Sequence, residues 1–474
     1  MTSKMSVDQF HYFLDTFKCY PNNDQTETLS LGLPPAAIKK QYELKVFSQK
    51  TLFIDVTHTV HYRFNSGIQR VVRSLVAAMK INGAPFELIK FDIDGQPVAL
   101  NPYEINKFYN WEKYLTKEKT TSDSLDGLIR KLGPLVKLLI PNFLWDQAKR
   151  AYRILKYRLN DKSSFSETLK KTVVIDLRKH SLFLPEITTD EAHINSVSVM
   201  SKHYGVVISS ILYDLIPVTH PEFCSVGYDF IHYLRIFRTI HSVLAISKHS
   251  ESELIKLMAL LPREVSEPLK TKTIYISGDF PSLSRAQALK KPDDKKVILM
   301  VARFEPRKNI RRVLAAVQKL FEENIDFKFV IVGNPGWMQE NIIADLNALI
   351  AKGFDVEFHM RISDSELAAW YQKCYFTVFC SITEGFGLPI LESVLMGKPC
   401  LTSDFGAQAE IGHLIGGCDF ANPTLIDDIY EKMKILLINK DYYKIQVEQT
   451  KFTQWPSWSD YAKQIYEYIN SQDL

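Results

Sequence analysis

The sequence has no long hydrophobic run. No apolar stretch reaches the roughly 18 residues that a transmembrane helix needs, and residues 1–20 lack the apolar core of a secretory signal peptide. We therefore predict a cytoplasmic protein without a membrane-spanning helix. A chain of 474 residues, 46% hydrophobic and 24% charged, is instead typical of a globular protein with two or three domains.

Cysteine is scarce and scattered. No two of the cysteines form a C-x-x-C pair, the spacing on which zinc ribbons and redox-active dithiols rely. The sequence therefore predicts reduced thiols in a cytosolic protein, and neither a metal site nor a disulfide framework. The six positions are Cys19, Cys224, Cys374, Cys380, Cys400 and Cys418.

Charge of one sign is not in excess, because 58 basic residues face 54 acidic ones and leave a net charge of +4. This balance gives no indication of a nucleic-acid partner. Locally, residues 125–158 hold eight basic and two acidic residues among many apolar ones. Such a stretch can lie on an anionic membrane surface, or it can be an ordinary amphipathic helix. We predict a basic helical insertion at about 107–171 and leave both interpretations open.

Short apolar runs alternate with helical patterns, which predicts parallel sheets covered by helices on both faces. We predict two doubly wound domains, at 51–285 and 294–452, joined by a polar linker at 282–296. An N-terminal extension (1–50) and a final helical segment (453–474) complete the chain. Strands are predicted at 52–56, 86–91, 173–176, 206–212, 243–246 and 273–276, and then at 297–301, 327–332, 356–359, 375–380 and 399–402.

The most informative segment is residues 381–392, which follow the apolar run 375–380 and read Ser-Ile-Thr-Glu-Gly-Phe-Gly-Leu-Pro-Ile-Leu-Glu. This pattern predicts a strand, a glycine loop and a helix. Glycines let backbone N–H groups approach a ligand, a helix N-terminus favours an anion, and Pro389 suits a first helical turn. Glu384 and Glu392 flank the loop, where carboxylates can accept hydrogen bonds from sugar hydroxyls. The segment therefore predicts a nucleotide-sugar site.

This segment resembles the E-x7-E signature of glycosyltransferase family 4, whose members are retaining enzymes of the GT-B fold. The resemblance covers about residues 50–470. It implies an α/β protein with two Rossmann-like domains facing across a cleft and a C-terminal helix that crosses back to the first domain. Glu384 would lie by the donor sugar and Glu392 by the nucleotide ribose. An acid pair that merely suits a helix dipole is the alternative. The other donor-binding residues of this loop are expected to be Gly385, Phe386, Gly387 and Leu388.

A basic loop follows the first predicted strand of the second domain. In the family this loop carries an Arg and a Lys that hold the donor diphosphate, and Arg303 and Lys308 match them. Arg307 is the weaker candidate and is expected to face solvent. A solvated basic loop is the alternative. The resemblance further assigns close approach of the nucleotide to Gly333, and recognition of the base to the loop that contains Ile362.

The first domain is expected to supply the acceptor side of the site. Gly67 opens a helix after the first predicted strand and resembles the family's loop beside the donor phosphate. Tyr213 stands where family members often have a histidine that contacts the donor sugar. We expect either the Tyr213 hydroxyl or the neighbouring Asp214 to make this contact.

The resemblance implies transfer of a hexosyl or deoxyhexosyl unit with retention at the anomeric carbon, without a cofactor or an essential metal. Glu384, Arg303, Lys308 and Asp214 are the expected catalytic residues. The two cations would stabilise the departing diphosphate, Glu384 would position the sugar, and the leaving phosphate would take the acceptor proton. The expected donor is a nucleotide sugar, with GDP-mannose slightly favoured over dTDP-rhamnose and UDP-hexoses.

The expected acceptor is a growing surface glycan on a lipid carrier or lipopolysaccharide core, which would place the protein peripherally on the inner face of the cell membrane. Two other functions stay open. A catalytically silent partner subunit of a glycan-assembly complex would share the fold, since fold does not fix function. A sugar-nucleotide epimerase of the same fold would need acid and base groups across the cleft, for which the first domain offers few candidates. The oligomeric state is not predicted.

Overall fold

The computed structural model of the protein describes residues 42–61, 67–111, 172–224, 227–280, 295–451 and 454–472. Most of the predicted N-terminal extension, the basic part of the predicted insertion and most of the predicted linker lie outside these residues. The chain forms two compact units. One contains Pro21–Arg73 and Pro85–Ile208, and the other contains Ser74–Ala84 and Ser209–Leu474. The predicted domain boundary near residue 290 stays a prediction.

The smaller unit is built on a sheet with the strand order β1-β5-β4-β3-β2-β6. Strand β4 pairs antiparallel with β3 and β5, and the other pairings are parallel. The chain reverses between β3 and β4 because the Asp92 carboxylate accepts hydrogen bonds from the N–H groups of Asp94 (3.0 Å) and Gln96 (2.9 Å). The strands are β1 (Tyr42–Lys45), β2 (Leu52–Asp55), β3 (Glu87–Phe91), β4 (Pro97–Ala99), β5 (Thr172–Ile175) and β6 (Ser181–Leu184).

The helices of the smaller unit begin at side-chain caps where the sequence supplies them. Asn101 and Glu104 form a reciprocal capping box, and the Asp190 carboxylate accepts the N–H of His193. Helix α2 contributes residues to both units. The helices are α1 (Thr57–His61), α2 (Gly67–Ile81), α3 (Pro102–Tyr109) and α4 (Glu191–Tyr204).

The larger unit begins with three parallel strands in the order β7-β8-β9. Strand β8 is fully buried, whereas the Lys-Thr-Lys-Thr sequence of β9 is exposed at alternate positions. The elements are β7 (Val207–Leu212), β8 (Ser242–Ala245) and β9 (Lys270–Thr273), with helices α5 (Ile216–Thr219), α6 (Gly227–Leu234) and α7 (Lys248–Met258) and 3-10 turns at Pro221–Phe223 and Arg235–Arg238.

The second sheet of the larger unit is wholly parallel, with the order β12-β11-β10-β13-β14-β15. Its central strands are continuous apolar runs because helices cover both faces. The strands are β10 (Val297–Val301), β11 (Lys328–Gly333), β12 (Val356–Met360), β13 (Phe376–Phe379), β14 (Cys400–Ser403) and β15 (Cys418–Ala421). The helices are α8 (Ile310–Glu322), α9 (Gln339–Ala351), α10 (Asp364–Lys373), α11 (Leu388–Leu395), α12 (Gly406–Ile415), α13 (Ile426–Ile438), α14 (Lys440–Lys451) and α15 (Trp458–Ser471).

The strand order of this second sheet indicates the edge at which a ligand would bind. The chain leaves β10 towards β11 and β12 on one side and returns to β13 on the other side of β10. Ligands of open α/β sheets bind at such a switch point, outside the carboxyl ends of the strands. The loop that follows β10 carries the predicted basic residues, and the loop that follows β13 carries Glu384 and leads into α11, which carries Glu392.

The α/β class, the parallel sheets and the alternation of strands and helices are confirmed. Strand β4 departs from the parallel pairing, because the Asp92–Gly95 turn creates a hairpin that makes β4 antiparallel. The predicted strand at 273–276 is wrong, because β9 ends at Thr273. Ile274 and Ile276 are buried after the strand, so their hydrophobicity reflects burial in a loop.

The C-terminal segment is fixed to residues of the predicted first domain. The indole N–H groups of Trp455 and Trp458 donate to the carbonyls of Ile276 (2.8 Å) and Asp279 (2.9 Å). Ser459 bonds to Asn82 at 2.7 Å. These contacts hold α15 where the family resemblance expected it. None of the helices in the described part of the chain combines the length and the apolar character that crossing a bilayer requires.

Gly333 at the end of β11 offers a test of this packing. A Cβ atom there would lie 1.8 Å from the carbonyl oxygen of Ala302, which follows β10. We expect Gly333→Ala to lower the free energy of unfolding by about 2 kcal/mol, because the two strand ends must separate. Urea unfolding measures this change.

The matched control is Gly67→Ala, which adds the same methyl group at the start of α2. No described atom lies within 4 Å of that Cβ position. We expect its unfolding free energy to stay within about 0.5 kcal/mol of the parent value. An equal loss in both variants would contradict the steric argument.

Candidate active site

The loop after β13 has the conformation that its glycines and proline predict. Gly387 has a φ of +116°, in the region that favours glycine, and directly precedes α11. Pro389 lies in the first turn of that helix. The loop brings Glu384 to the carboxyl edge of the sheet, where the side chain is only 9% exposed.

Two cations hold the Glu384 carboxylate. The Arg307 guanidinium donates to one carboxylate oxygen at 2.5 Å, and the Lys308 ammonium donates to the other at 2.5 Å. Arg307 also donates to the carbonyl of Thr383 at 3.1 Å. The three side chains are all largely buried. A buried carboxylate would be unstable alone, so the two cations are what permit Glu384 to lie here in its charged form.

The pKa values follow from this arrangement. Burial alone would raise the pKa of Glu384, but Arg307 and Lys308 outweigh it and lower the pKa to about 2. Burial and the neighbouring Arg307 lower the pKa of Lys308, although Glu384 opposes them. Burial would lower the pKa of Arg307, but the charges of Glu384, Asp214 and Glu305 raise it. Glu384 is therefore ionised throughout the neutral range.

The positions of Arg303 and Arg307 differ from the expectation. Arg307 does not face solvent, and that prediction is wrong: its side chain is 18% exposed and contacts Glu384. The Arg303 side chain is 60% exposed, and its Nε lies 3.1 Å from both Glu305 and the carbonyl of Pro335. In this loop, Arg307 is paired with Glu384, whereas Arg303 lies at the surface. The diphosphate role of Arg303 stays a prediction.

The backbone around the cations is fixed by a residue in left-handed conformation. Asn309 has a φ of 59° and ends the 3-10 turn Pro306–Lys308. Its amide donates to the carbonyls of Cys380 (2.9 Å) and Pro423 (2.7 Å). The N–H of Ile382 donates to the carbonyl of Arg307 at 2.9 Å. These bonds tie the loop after β10 to the loop after β13, so the cations and Glu384 are positioned together.

Glu392, the second predicted carboxylate, lies on α11 and is 3% exposed. One of its oxygens accepts the hydroxyl of Tyr371 at 2.8 Å. Tyr371 comes from α10, is fully buried, and has its pKa raised by burial and by the charge of Glu392. The tyrosine therefore remains a neutral donor that orients the carboxylate. The ribose role of Glu392 stays a prediction.

The segment after β7 lies against the glycine loop. A Cβ on Gly385 would be 2.0 Å from the carbonyl of Tyr213, so this contact requires glycine. Asp214 accepts the N–H of Ile216 at 3.1 Å. Burial raises the pKa of Asp214, while the positive charge of Arg307 opposes that rise. The predicted catalytic Asp214 thus shares an electrostatic environment with Arg307 and Glu384.

The other predicted donor-binding residues occupy different places. Phe386 is buried with its ring 6.3 Å from the Trp455 ring, and Leu388 begins α11. Gly333 lies against the Ala302 carbonyl, and Ile362 is half-buried against the cluster that contains Tyr371. Gly67 begins α2 in the smaller unit. Apart from Gly67, all of these residues belong to the larger unit.

Three side chains contribute to this site beyond the sequence-based expectation. Arg307 contacts Glu384, whereas the sequence favours Arg303. The hydroxyls of Ser247 and Ser250 donate to the carbonyl of Gly385 at 2.8 and 3.2 Å, and the sequence pattern gave no indication of either contact. Ser247 also caps α7 by accepting the N–H of Ser250 at 3.1 Å. No spacing pattern links residues that lie 135 positions or more apart.

The charged side chains of this site can bind a polar ligand and polarise its bonds. Within the described ranges, no group of three or more His, Cys, Asp and Glu side chains has the geometry of a metal site. What the site does present is a fixed carboxylate, a second oriented carboxylate and a basic loop, around a glycine-rich turn at a helix start. Such a set suits an anionic ligand with hydroxyl groups.

Solved structures match this chain at the level of fold. Sucrose-phosphate synthase from Thermosynechococcus elongatus superposes with a TM-score of 0.55 at 14% identity, covering 89% of this chain and 99% of its own. A glycosyltransferase from Rickettsia africae gives a TM-score of 0.51 at 16% identity, covering 90% and 99%. These matches confirm the predicted GT-B fold.

Among curated proteins, the serotype-specific mannosyltransferase WbdA of Escherichia coli is 23% identical over 402 residues, which are 81% of this chain and 42% of WbdA. The O-antigen chain mannosyltransferase B of Escherichia coli is 27% identical over 194 residues, 40% of this chain and 49% of that protein. The chain thus spans less than half the length of either relative. Residues 284–451 match the family model described as glycosyl transferases group 1. This part of the chain, which is similar to the group 1 glycosyltransferases, contains Glu384, Glu392, Arg307 and Lys308.

Proposed function

We propose that the protein transfers a mannosyl unit from GDP-mannose to a growing surface glycan. The observation that carries this proposal is the buried Glu384 carboxylate, held by Arg307 and Lys308 beside a glycine turn at the start of α11. The sugar and the glycan class are supported by the relatives, whose names are mannosyltransferases and, in one case, an O-antigen chain mannosyltransferase.

The proposed donor pose follows from the charges of the site. The diphosphate would lie over the glycine turn, where backbone N–H groups and the N-terminus of α11 favour an anion. Arg303, exposed on the basic loop, would reach the diphosphate and offset the charge that develops as the nucleotide leaves. Glu392, oriented by Tyr371, would accept hydrogen bonds from the ribose hydroxyls.

The role of Glu384 follows from its charge. Because its pKa is held near 2, the carboxylate is a weak base at neutral pH and is poorly suited to take a proton from the acceptor. Its free lone pairs would instead accept hydrogen bonds from sugar hydroxyls and fix the ring. We propose that the bond between the anomeric carbon and the diphosphate breaks while the acceptor oxygen bonds to the same face of that carbon. The leaving phosphate takes the acceptor proton, so the configuration is retained and no essential metal is required.

We propose a lipid-linked or lipopolysaccharide-type acceptor and a peripheral site of action at the inner membrane face, following the glycan class of the relatives. The basic stretch at 125–158, which motivates a membrane contact, lies outside the described residues. Vesicle binding by a variant with Lys149, Arg150, Arg153 and Lys156 neutralised would test this part separately.

The first test is nucleotide release from a panel of GDP-, dTDP- and UDP-sugars, with and without a lipid-linked acceptor. We expect release from GDP-mannose, and a loss of about 100-fold or more in kcat/KM in Lys308→Ala and Glu392→Ala, since each removes a charged contact in a desolvated site. Lys444→Ala removes an exposed lysine, 74% accessible, and should behave as the parent protein. Release from no donor would refute the transferase function, and release from another donor would refute the choice of mannose.

A second experiment should distinguish the roles of Arg303 and Arg307 by comparing the stability and turnover of their alanine variants. Arg307→Ala leaves Glu384 with one cation, so we expect the free energy of unfolding to fall by about 3 kcal/mol together with a loss of turnover. Arg303→Ala removes an exposed side chain, so stability should change by less than about 0.5 kcal/mol while turnover falls. Urea unfolding and donor turnover measure the two effects. Unchanged turnover in Arg303→Ala would contradict its diphosphate role.

The charge of Glu384 predicts a pH dependence of stability. The pKa falls from an ordinary 4.5 to about 2 on folding, so the unfolded chain binds the proton more readily. The stabilisation is therefore complete above pH 4.5 and is lost as the pH falls towards 2. Unfolding free energies measured across this range should decline less steeply in Glu384→Gln than in the parent. The exposed carboxylate of Glu448 provides the matched control, Glu448→Gln, for which the parent's slope is expected.

A further inference from the structure

A carboxylate outside the acid-pair segment makes an unusual set of contacts. Glu410 lies on α12, and its two oxygens accept the backbone N–H groups of Lys248 (2.7 Å) and His249 (2.8 Å). The hydroxyl of Tyr275 donates to it as well, at 2.9 Å. Lys248 and His249 are the first two residues of α7. A carboxylate with this geometry satisfies two free N–H groups of a helix N-terminus and complements its dipole.

The same end of α7 holds the glycine loop of the site. The hydroxyls of Ser247 and Ser250 converge on the carbonyl oxygen of Gly385, at 2.8 and 3.2 Å. Ser250 also donates to the carbonyl of Tyr213 at 3.3 Å. Gly385 packs directly on that Tyr213 carbonyl. One helix end therefore fixes both partners of the closest backbone contact in the loop.

Gly385 directly follows Glu384 in the chain. Arg307 and Lys308 hold the carboxylate of Glu384, whereas the bonds to the Gly385 carbonyl hold its backbone from the other side. Glu410 is connected to this second set of bonds through the N-terminus of α7. A loss of the Glu410 contacts would release that helix end, and with it the hydroxyls that fix Gly385.

We propose that Glu410 is a positioning residue for Glu384, acting through the N-terminus of α7 and the carbonyl of Gly385. This inference rests on the proposed function, in which Glu384 fixes the donor sugar. Glu410 accepts hydrogen bonds from Lys248, His249 and Tyr275, and the proposed effect on turnover runs through these bonds. Supporting residues of this kind set the precision of a site, because small misplacements of a reacting group reduce the rate strongly.

An aromatic contact provides a second connection between Glu410 and the loop. The ring of Tyr275, which donates its hydroxyl to Glu410, lies 5.6 Å from the Trp455 ring. Trp455 in turn lies 6.3 Å from the ring of Phe386, the residue after Gly385. Tyr275→Phe keeps these ring contacts and removes only the hydroxyl. This variant therefore separates the hydrogen bond to Glu410 from the packing beneath the loop.

The test combines hydrogen–deuterium exchange with kinetics on Glu410→Ala, Glu410→Gln and Tyr275→Phe in the full chain. We expect faster exchange in peptides covering 247–251 and 384–388 of Glu410→Ala, with exchange in β10 and β11 unchanged. Glu410→Gln should show a smaller effect, because an amide oxygen still accepts one backbone N–H. The control is Asp428→Ala, which removes a carboxylate that accepts the N–H of Asn422 at 2.7 Å on another helix.

In kinetics, we expect kcat of Glu410→Ala to fall about 10- to 100-fold, as for a displaced reacting group. The donor KM and the Kd of GDP should change less than about 2-fold, since Glu392 and the basic loop are intact. Unchanged exchange at 384–388 would overturn the inference, and so would a uniform rise that includes β10 and β11. Turnover by no variant, the parent included, would refute the proposed function, while the exchange data would still decide the positioning role.

Discussion

The structure of the site depends on the ion cluster of Glu384 with Arg307 and Lys308. A carboxylate that is almost fully buried loses several kcal/mol of hydration, and only close opposite charges with hydrogen bonds can compensate. The two cations come from consecutive residues of one loop, and the anion comes from another. The cluster therefore joins the loops after β10 and β13 and fixes their side chains next to each other at the carboxyl edge of the sheet.

Close backbone contacts impose the second constraint. Gly385 lies on the Tyr213 carbonyl and Gly333 on the Ala302 carbonyl, at distances that exclude any side chain. Both glycines were assigned to ligand approach from the sequence, and both are required by the protein's own backbone. Sequence patterns cannot distinguish ligand approach from close backbone packing, because both require only a residue without a Cβ atom. The constraint explains why these two positions require glycine.

The sequence predicted the elements that depend on local pattern. The loop and helix at 381–392 follow from two glycines and a proline, and the strands of the second sheet follow from their continuous apolar runs. The hairpin at Asp92–Gly95 was missed because its turn depends on a side-chain carboxylate bonding to backbone N–H groups. The location of Arg307 was missed for a different reason. Whether a loop arginine faces solvent depends on a carboxylate 77 positions away, which spacing along the chain does not reveal.

The contact between Trp455 and Phe386 has a consequence for biosynthesis. Trp455 donates to the carbonyl of Ile276 and lies against the ring of Phe386, so the residues beneath the glycine loop come from a late part of the chain. A nascent chain that has not yet extended past residue 455 contains both carboxylates and both cations, yet lacks this support. The glycine loop therefore gains its full packing only after residue 455 has been synthesised.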